Sequence, residues 1–185
     1  MLHRYPQEAA LRDGRPVIIR PFQGGDVEAL YDFFQRLPAT VRRLAWDRID
    51  DRRLIESWGD NVDYEKTLPL LAFHGNDVVA DATLHRRQGG PLRLVGRIKW
   101  LLDPDYRGAG LGSLLVNHFI DHATANGLHH LTCMLIEETE SDAIQTLEDL
   151  GFQSYRIPGY GVDPDGNRHD MVKLVMELNK GNGES

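Results

Sequence analysis

A single cysteine in 185 residues, Cys133, leaves no intramolecular disulfide to be drawn, so the fold has to be held by its 41% apolar residues. The opening Met1-Leu2-His3-Arg4-Tyr5-Pro6 lacks the apolar run of a signal peptide, and with the lone thiol this predicts a cytoplasmic chain. Long hydrophobic runs are missing too. The most apolar uncharged stretch, Leu128 to Ile136, falls far short of the ~20 residues that span a bilayer, and no membrane partner is expected. Positive charge is scarce: 21 Lys and Arg face 28 Asp and Glu, a net charge of −7. That balance argues against a general nucleic-acid binder, whose phosphate affinity rests on clustered cations. The arginine-rich stretch Arg42, Arg43, Arg48, Arg52 and Arg53 is interleaved with Asp47, Asp50 and Asp51, the pattern of a solvated, ion-paired face.

The length suits one domain, and no repeat, low-complexity tract or long linker divides it. Residues 1–14 read as a polar lead-in, 15–179 as the domain and 180–185 as a disordered tail. Pro16 to Pro21 is a β-branched strand. Asp26 is placed to cap a helix with apolar face Val27, Leu30, Tyr31, Phe34 and Leu37, ended by Pro38, and Thr40 to cap a second. Leu54, Ile55 and Trp58 follow as a further helical piece. Leu68–Phe73 and Val78–Leu84 form a hairpin around Gly75-Asn76-Asp77, and Leu92 to Leu102 is the fourth strand. A helix carrying Leu111, Leu115, Val116 and Phe119 ends at Asn126-Gly127, and Leu128 to Ile136 is a buried fifth strand. Thr139 to Leu150 reads as helical, and Phe152–Val162 with His169–Leu178 as a closing hairpin. The result is a mixed α/β domain.

Between the fourth strand and its helix lies Asp103-Pro104-Asp105-Tyr106-Arg107-Gly108-Ala109-Gly110-Leu111-Gly112. Glycines at alternate positions remove Cβ atoms that would shield backbone N–H groups, and a helix N-terminus adds its dipole. This makes an anion site suited to a phosphate or pyrophosphate, with Arg107 at its entrance. Familiar phosphate loops fit poorly: Ser113-Leu114 stands where a nucleoside-triphosphate loop needs Lys-Ser/Thr, and G-x-G-x-G is not G-x-G-x-x-G. The stretch Arg107 to Gly112 instead resembles motif A, R/Q-x-x-G-x-G/A, of the GCN5-related N-acetyltransferase (GNAT) superfamily. Ile18-Ile19-Arg20-Pro21 resembles that family's first strand and Leu150-Gly151-Phe152 the end of its fourth helix. Within the superfamily, Leu11-Arg12-Asp13-Gly14 before Val17, and Val162 to Gly166, look like bacterial protein-lysine acetyltransferase domains.

The resemblance implies a mostly antiparallel central sheet of six to seven strands, splayed between strands 4 and 5, with about four flanking helices. It implies acetyl-CoA as donor, with pyrophosphate on the N–H groups of Arg107, Gly108, Ala109, Gly110, Leu111, Gly112 and Ser113. The strand end Trp100 to Asp103 would pair with the pantetheine arm, the N–H of Leu101 or Leu102 polarising the thioester carbonyl. Glu140 stands where an Asn commonly contacts the donor. The family's usual acid and base do not carry over: Arg97 and Leu147 occupy positions where relatives carry Glu and Tyr, and Leu135 one that can hold Glu. Catalytic groups are therefore unassigned, with Glu137, Tyr106 and His85 as candidates beside Glu138, Asp81, Tyr160 and His169. His118 and His122 lie four apart in a helix, but two histidines do not complete a tetrahedral site, so no metal is expected.

The expected activity is transfer of acetyl from acetyl-CoA to a primary amine, a protein lysine or small cationic molecule; the alternative is a catalytically weak acyl-CoA sensor. A homodimer is compatible with either. Charge sharpens the acceptor: residues 108–155 hold no Lys or Arg but seven acids, Asp121, Glu137, Glu138, Glu140, Asp142, Glu148 and Asp149. By the resemblance, Glu137 to Asp142 borders the place where acceptor meets thioester, which favours a cationic one.

Overall fold

Alternating burial along short β-branched runs and 3.6-residue spacing along the intervening segments set the elements of the computed structural model, which describes residues 2–178. The chain divides into two compact units. The first comprises residues 2–83 with Trp100–Leu111. It begins with β1 (Gln7–Ala10), a strand inside the expected lead-in, antiparallel to β2 (Pro16–Pro21). A polar sequence conceals β1, because only one of its four residues is even half-buried. β2 pairs antiparallel with β3 (Thr67–His74), Ile19 opposite Ala72. β3 turns at Gly75, whose φ of +61° suits a residue without Cβ, into β4 (Asp77–His85). The end of β5 (Val95–Leu102) completes this unit's strands, in the order β1-β2-β3-β4-β5.

Three helices cover the same unit: α1 (Val27–Arg36), α2 (Ala39–Leu44) and α3 (Arg52–Asp60). Leu30, Phe33, Phe34, Leu37, Ile55 and Leu71 form its core, with Trp58 and Leu101 packed against them. Phe34 meets Trp58 edge-on at 6.4 Å, a favoured aromatic arrangement. Two expected caps differ. Asp26 precedes α1 without capping it, because its carboxylate is engaged by Arg20 at 2.6 and 2.7 Å and by the Gln23 N–H at 2.8 Å. Thr40 lies inside α2, which starts directly after Pro38, a residue preset for a helix entry. Asp51 is the side chain that caps a helix, accepting from the N–H groups of Arg53 and Leu54 ahead of α3.

The second unit comprises Leu84–Lys99 and residues 112–178. It holds most of α4 (Leu111–Ala125), then β6 (His130–Ile136), α5 (Ser141–Asp149), β7 (Gln153–Val162) and β8 (Arg168–Glu177). Here β5 pairs in parallel with β6, joining Val95, Gly96 and Arg97 to His130, Leu131 and Thr132. A parallel pair needs a crossover, and α4 supplies it. β6 keeps an antiparallel partner along its whole length in β8, which pairs in turn with β7. Gly96 permits close packing: a Cβ there would sit 2.7 Å from a Leu84 methyl and 2.9 Å from one of Leu131. Leu115, Val116, Phe119 and Ala123 of α4 are fully buried.

Mixed, mostly antiparallel pairing is the expected architecture; among the described residues the strands number eight, β1 being the addition, with β5 and β6 parallel, and the α-helices number five. The expected disordered tail, 180–185, lies outside the described residues.

Candidate active site

The turn from β5 into α4 is built by its own side chains and backbone. Asp103 accepts from the Asp105 N–H at 3.0 Å, Tyr106 N–H returns to Asp103 O at 2.9 Å, and Arg107 N–H to Pro104 O at 3.2 Å. Asp103 N–H reaches Val79 O at 2.9 Å, tying the turn to β4. Gly108 and Gly110 then take φ of +71° and +88°, which L-residues rarely adopt. Gly112 does not share this need: it lies within α4, so two of the three glycines make the turn. Above Gly108 there is open space, with nothing within 4 Å of where a Cβ would stand. α4 starts at Leu111, so the N–H groups of its first turn, including those of Gly112 and Ser113, have no partner inside the helix. Open backbone donors at the positive end of a fifteen-residue helix, with the exposed Arg107 beside them, fit a diphosphate.

Tyr106 is held firmly in this unit. The Arg15 guanidinium carbon lies 3.9 Å from its ring centroid, and the His74 ring is 5.9 Å away. Leu101 and Leu102 are half-buried at the end of β5, Leu101 against the aromatic core. His85, the last residue of β4 and already part of the second unit, is half-buried.

Asp81 lies on β4 in the first unit, whereas Glu137, Glu138 and Glu140 follow β6 in the second, which also holds Tyr160 on β7 and His169 on β8. Glu137 ion-pairs with Arg156 Nε at 2.6 Å, and Arg156 also holds Asp170 at 2.7 Å. Glu138 accepts from the Asp170 N–H at 3.2 Å and lies 3.7 Å from His169 Nδ1. Backbone N–H groups, its own and that of Asp170, hold its carboxyl below the usual range. On the other side of His169, Asp163 Oδ2 is 3.3 Å from Nε2. Hydrogen bonds from the Asn167 side chain first, then backbone N–H groups and His169, keep Asp163 well below the ordinary carboxylate range despite opposing desolvation. Glu140 accepts from the Ile136 N–H at 2.6 Å, bridging the loop between β6 and α5. The Glu138–His169–Asp163 array needs β7 and β8 to be paired; the turn Asp163 to Asn167 and the alternation of Val172, Leu174 and Met176 signal that hairpin in sequence, but not the contacts of its side chains. Among the described residues no group of three or more His, Cys, Asp and Glu could hold a metal ion, and no helix is long and apolar enough to cross a membrane.

A strand, a glycine turn at a helix start and a parallel partner strand beyond that helix match the order that the resemblance to acetyl-CoA-dependent acetyltransferases implies. The family model "Acetyltransferase (GNAT) family" matches residues 28–152, and the chain belongs to that family. Among curated proteins it is 29% identical to acetyltransferase PA5475 of Pseudomonas aeruginosa, over 90% of this chain and 88% of the relative. Among solved structures, the GNAT domain of S. lividans PAT shares the fold at TM-score 0.76 and 18% identity, covering 95% of this chain and 98% of that one. The structure of yncA from Salmonella typhimurium with its cofactor acetyl-CoA is similar at TM-score 0.72 and 19% identity, over 91% and 98% of the two chains. The chain is thus an acetyl-CoA-dependent acetyltransferase that uses acetyl-CoA as its acetyl donor.

Proposed function

We propose that the chain transfers acetyl directly from acetyl-CoA to a primary amine, a protein lysine or a small cationic molecule, with the donor's diphosphate on the Arg107–Ser113 turn. The observation that carries the donor's placement is the turn of two positive-φ glycines ahead of α4, with open space around Gly108. The N–H of Leu101 or Leu102 faces the thioester carbonyl and stabilises charge developing on its oxygen. The amine must arrive neutral. A lysine-like amine with pKa near 10.4 is uncharged about once in a thousand at pH 7, so a base or water chain draws off its proton before attack. Nitrogen then bonds to the acetyl carbon, the C–S bond breaks, and the thiolate takes up a proton.

A cationic acceptor is favoured by the acids of the second unit. Part of that acidity is compensated internally: Arg156 neutralises Glu137, while Glu138 and Glu140 receive backbone N–H groups. Asp142, exposed in the first turn of α5, is among the acids that remain to attract a cation. Ribosomal-protein alanine acetyltransferases among the similar structures make an N-terminal amine a further acceptor to include in assays. The test is release of free thiol when acetyl-CoA is mixed with a panel of lysine peptides, N-terminal peptides, polyamines and neutral amines. Thiol release on cationic amines supports the proposal. Tight donor binding with no release on any acceptor would move the reading to an acyl-CoA sensor.

A further inference from the structure

The N-terminal hairpin lies on the glycine turn. Its tip is closed by Leu11 N–H to Arg15 O and Gly14 N–H to Leu11 O, both 2.9 Å, with Gly14 at a φ of +86°. From that tip the Arg12 N–H donates to Ala109 O at 3.0 Å. The Arg12 side chain runs across the next residue of the turn: a Cβ built on Gly110 would stand 3.3 Å from Arg12 Nε, 3.5 Å from Cγ and 3.6 Å from Cδ. Three residues along, Arg15 Nη2 donates to Asp105 O at 2.8 Å. Backbone and side-chain contacts from the hairpin therefore converge on the segment that carries the anion site.

The two arginines are used differently. Arg15 takes the neighbouring carboxylate, Asp13, through Nε at 2.9 Å and Nη2 at 2.6 Å, which removes Asp13 as a partner for Arg12. Asp103 receives the Asp105 N–H, and the Asp105 carboxylate is the remaining acid on the turn. Arg12 is exposed and makes no ion pair among the described residues. A guanidinium with its stem laid over a phosphate turn and its planar fork without a carboxylate is suited to bidentate phosphate recognition.

We propose that Arg12 binds a phosphoryl group of the acyl donor, so that the phosphate site is assembled from two chain segments, the glycine turn and the N-terminal hairpin. This rests on the reading that the turn holds the donor's diphosphate. CoA carries two sources of that chemistry, the diphosphate and the 3′-phosphate.

Calorimetric titration of the full chain with CoA tests it, using Arg12→Lys, Arg12→Gln and Arg12→Glu, with Arg53→Gln on α3 as control. Arg12→Gln is expected to weaken binding ~10-fold, about 1.4 kcal/mol, with Glu weaker still and Lys intermediate, while melting temperatures and the control stay unchanged. With 3′-dephospho-CoA, a penalty that persists assigns Arg12 to the diphosphate and one that vanishes assigns it to the 3′-phosphate. Binding by Arg12→Gln within twofold of wild type, or Lys losing as much as Glu, overturns the inference while leaving the turn intact. A wild-type chain that binds no CoA instead overturns the underlying placement of the donor.

Discussion

The Glu137 carboxylate meets the Arg156 guanidinium at 2.6 Å, and the same guanidinium reaches Asp170 at 2.7 Å. One cation thus offsets two acids in the unit that carries the chain's most acidic stretch. Arg156→Gln uncovers both carboxylates, and the expected outcome is a KM for cationic acceptors lowered about two- to threefold at low ionic strength, with kcat little changed. The gain should disappear in 0.5 M salt. Identical KM values at both ionic strengths would make the acidity irrelevant to the acceptor.

Gly110 combines a φ of +88° with Arg12 lying 3.3 Å from any added Cβ. Gly110→Val is expected to cost about 1–3 kcal/mol of stability through backbone strain, lowering the melting temperature by several degrees. It should also abolish the rise in melting temperature that acetyl-CoA gives the wild type, while the circular dichroism spectrum keeps its shape. Gly108→Ala, at +71° with open space around it, should show the strain without the clash.

Arg20 and Asp26 form a bidentate pair, Arg20 resting 4.4 Å over the Phe73 ring. Burial pushes the Asp26 carboxyl up, but the Arg20 guanidinium and the Gln23 N–H outweigh it and hold it below the ordinary carboxylate range. A depressed carboxyl stabilises the fold above the unfolded-state value near 3.9 and loses that contribution as pH falls through the lower folded value. Asp26→Asn should cost ~2 kcal/mol in urea titrations at pH 7, a gap that narrows below about pH 4. A gap constant from pH 7 to pH 3 would refute the pairing.

Cys133 sits fully inside β6, and burial raises its thiol far above the usual value. The native protein should react with an aromatic disulfide reagent orders of magnitude more slowly than the chain in denaturant, because only the exposed thiolate attacks. Stopped-flow absorbance in both states measures this directly.

Strands with strong alternation, such as β4 and β8, and the helix α4 with its apolar spacing were legible from local pattern. β1 was not, since a polar, exposed strand has no periodicity to announce it and owes its existence to pairing with β2. The glycine turn could be read because positive φ restricts residue choice, so chemistry and geometry coincide at Gly108 and Gly110. Arg12 was legible only as part of Leu11-Arg12-Asp13-Gly14; its approach to Ala109 crosses 97 residues of sequence and depends on tertiary packing. Glu137 is legible in sequence as a catalytic candidate among the acids after β6, and its pairing with Arg156 comes only with the folded hairpin.

Thiol release measured against a panel of amines in the presence of acetyl-CoA tests the enzyme most directly. Free thiol appearing in step with acetylated cationic amine, and lost in Gly110→Val, is the expected result. No release on any amine, although acetyl-CoA still raises the wild-type melting temperature, would contradict direct transfer to an amine.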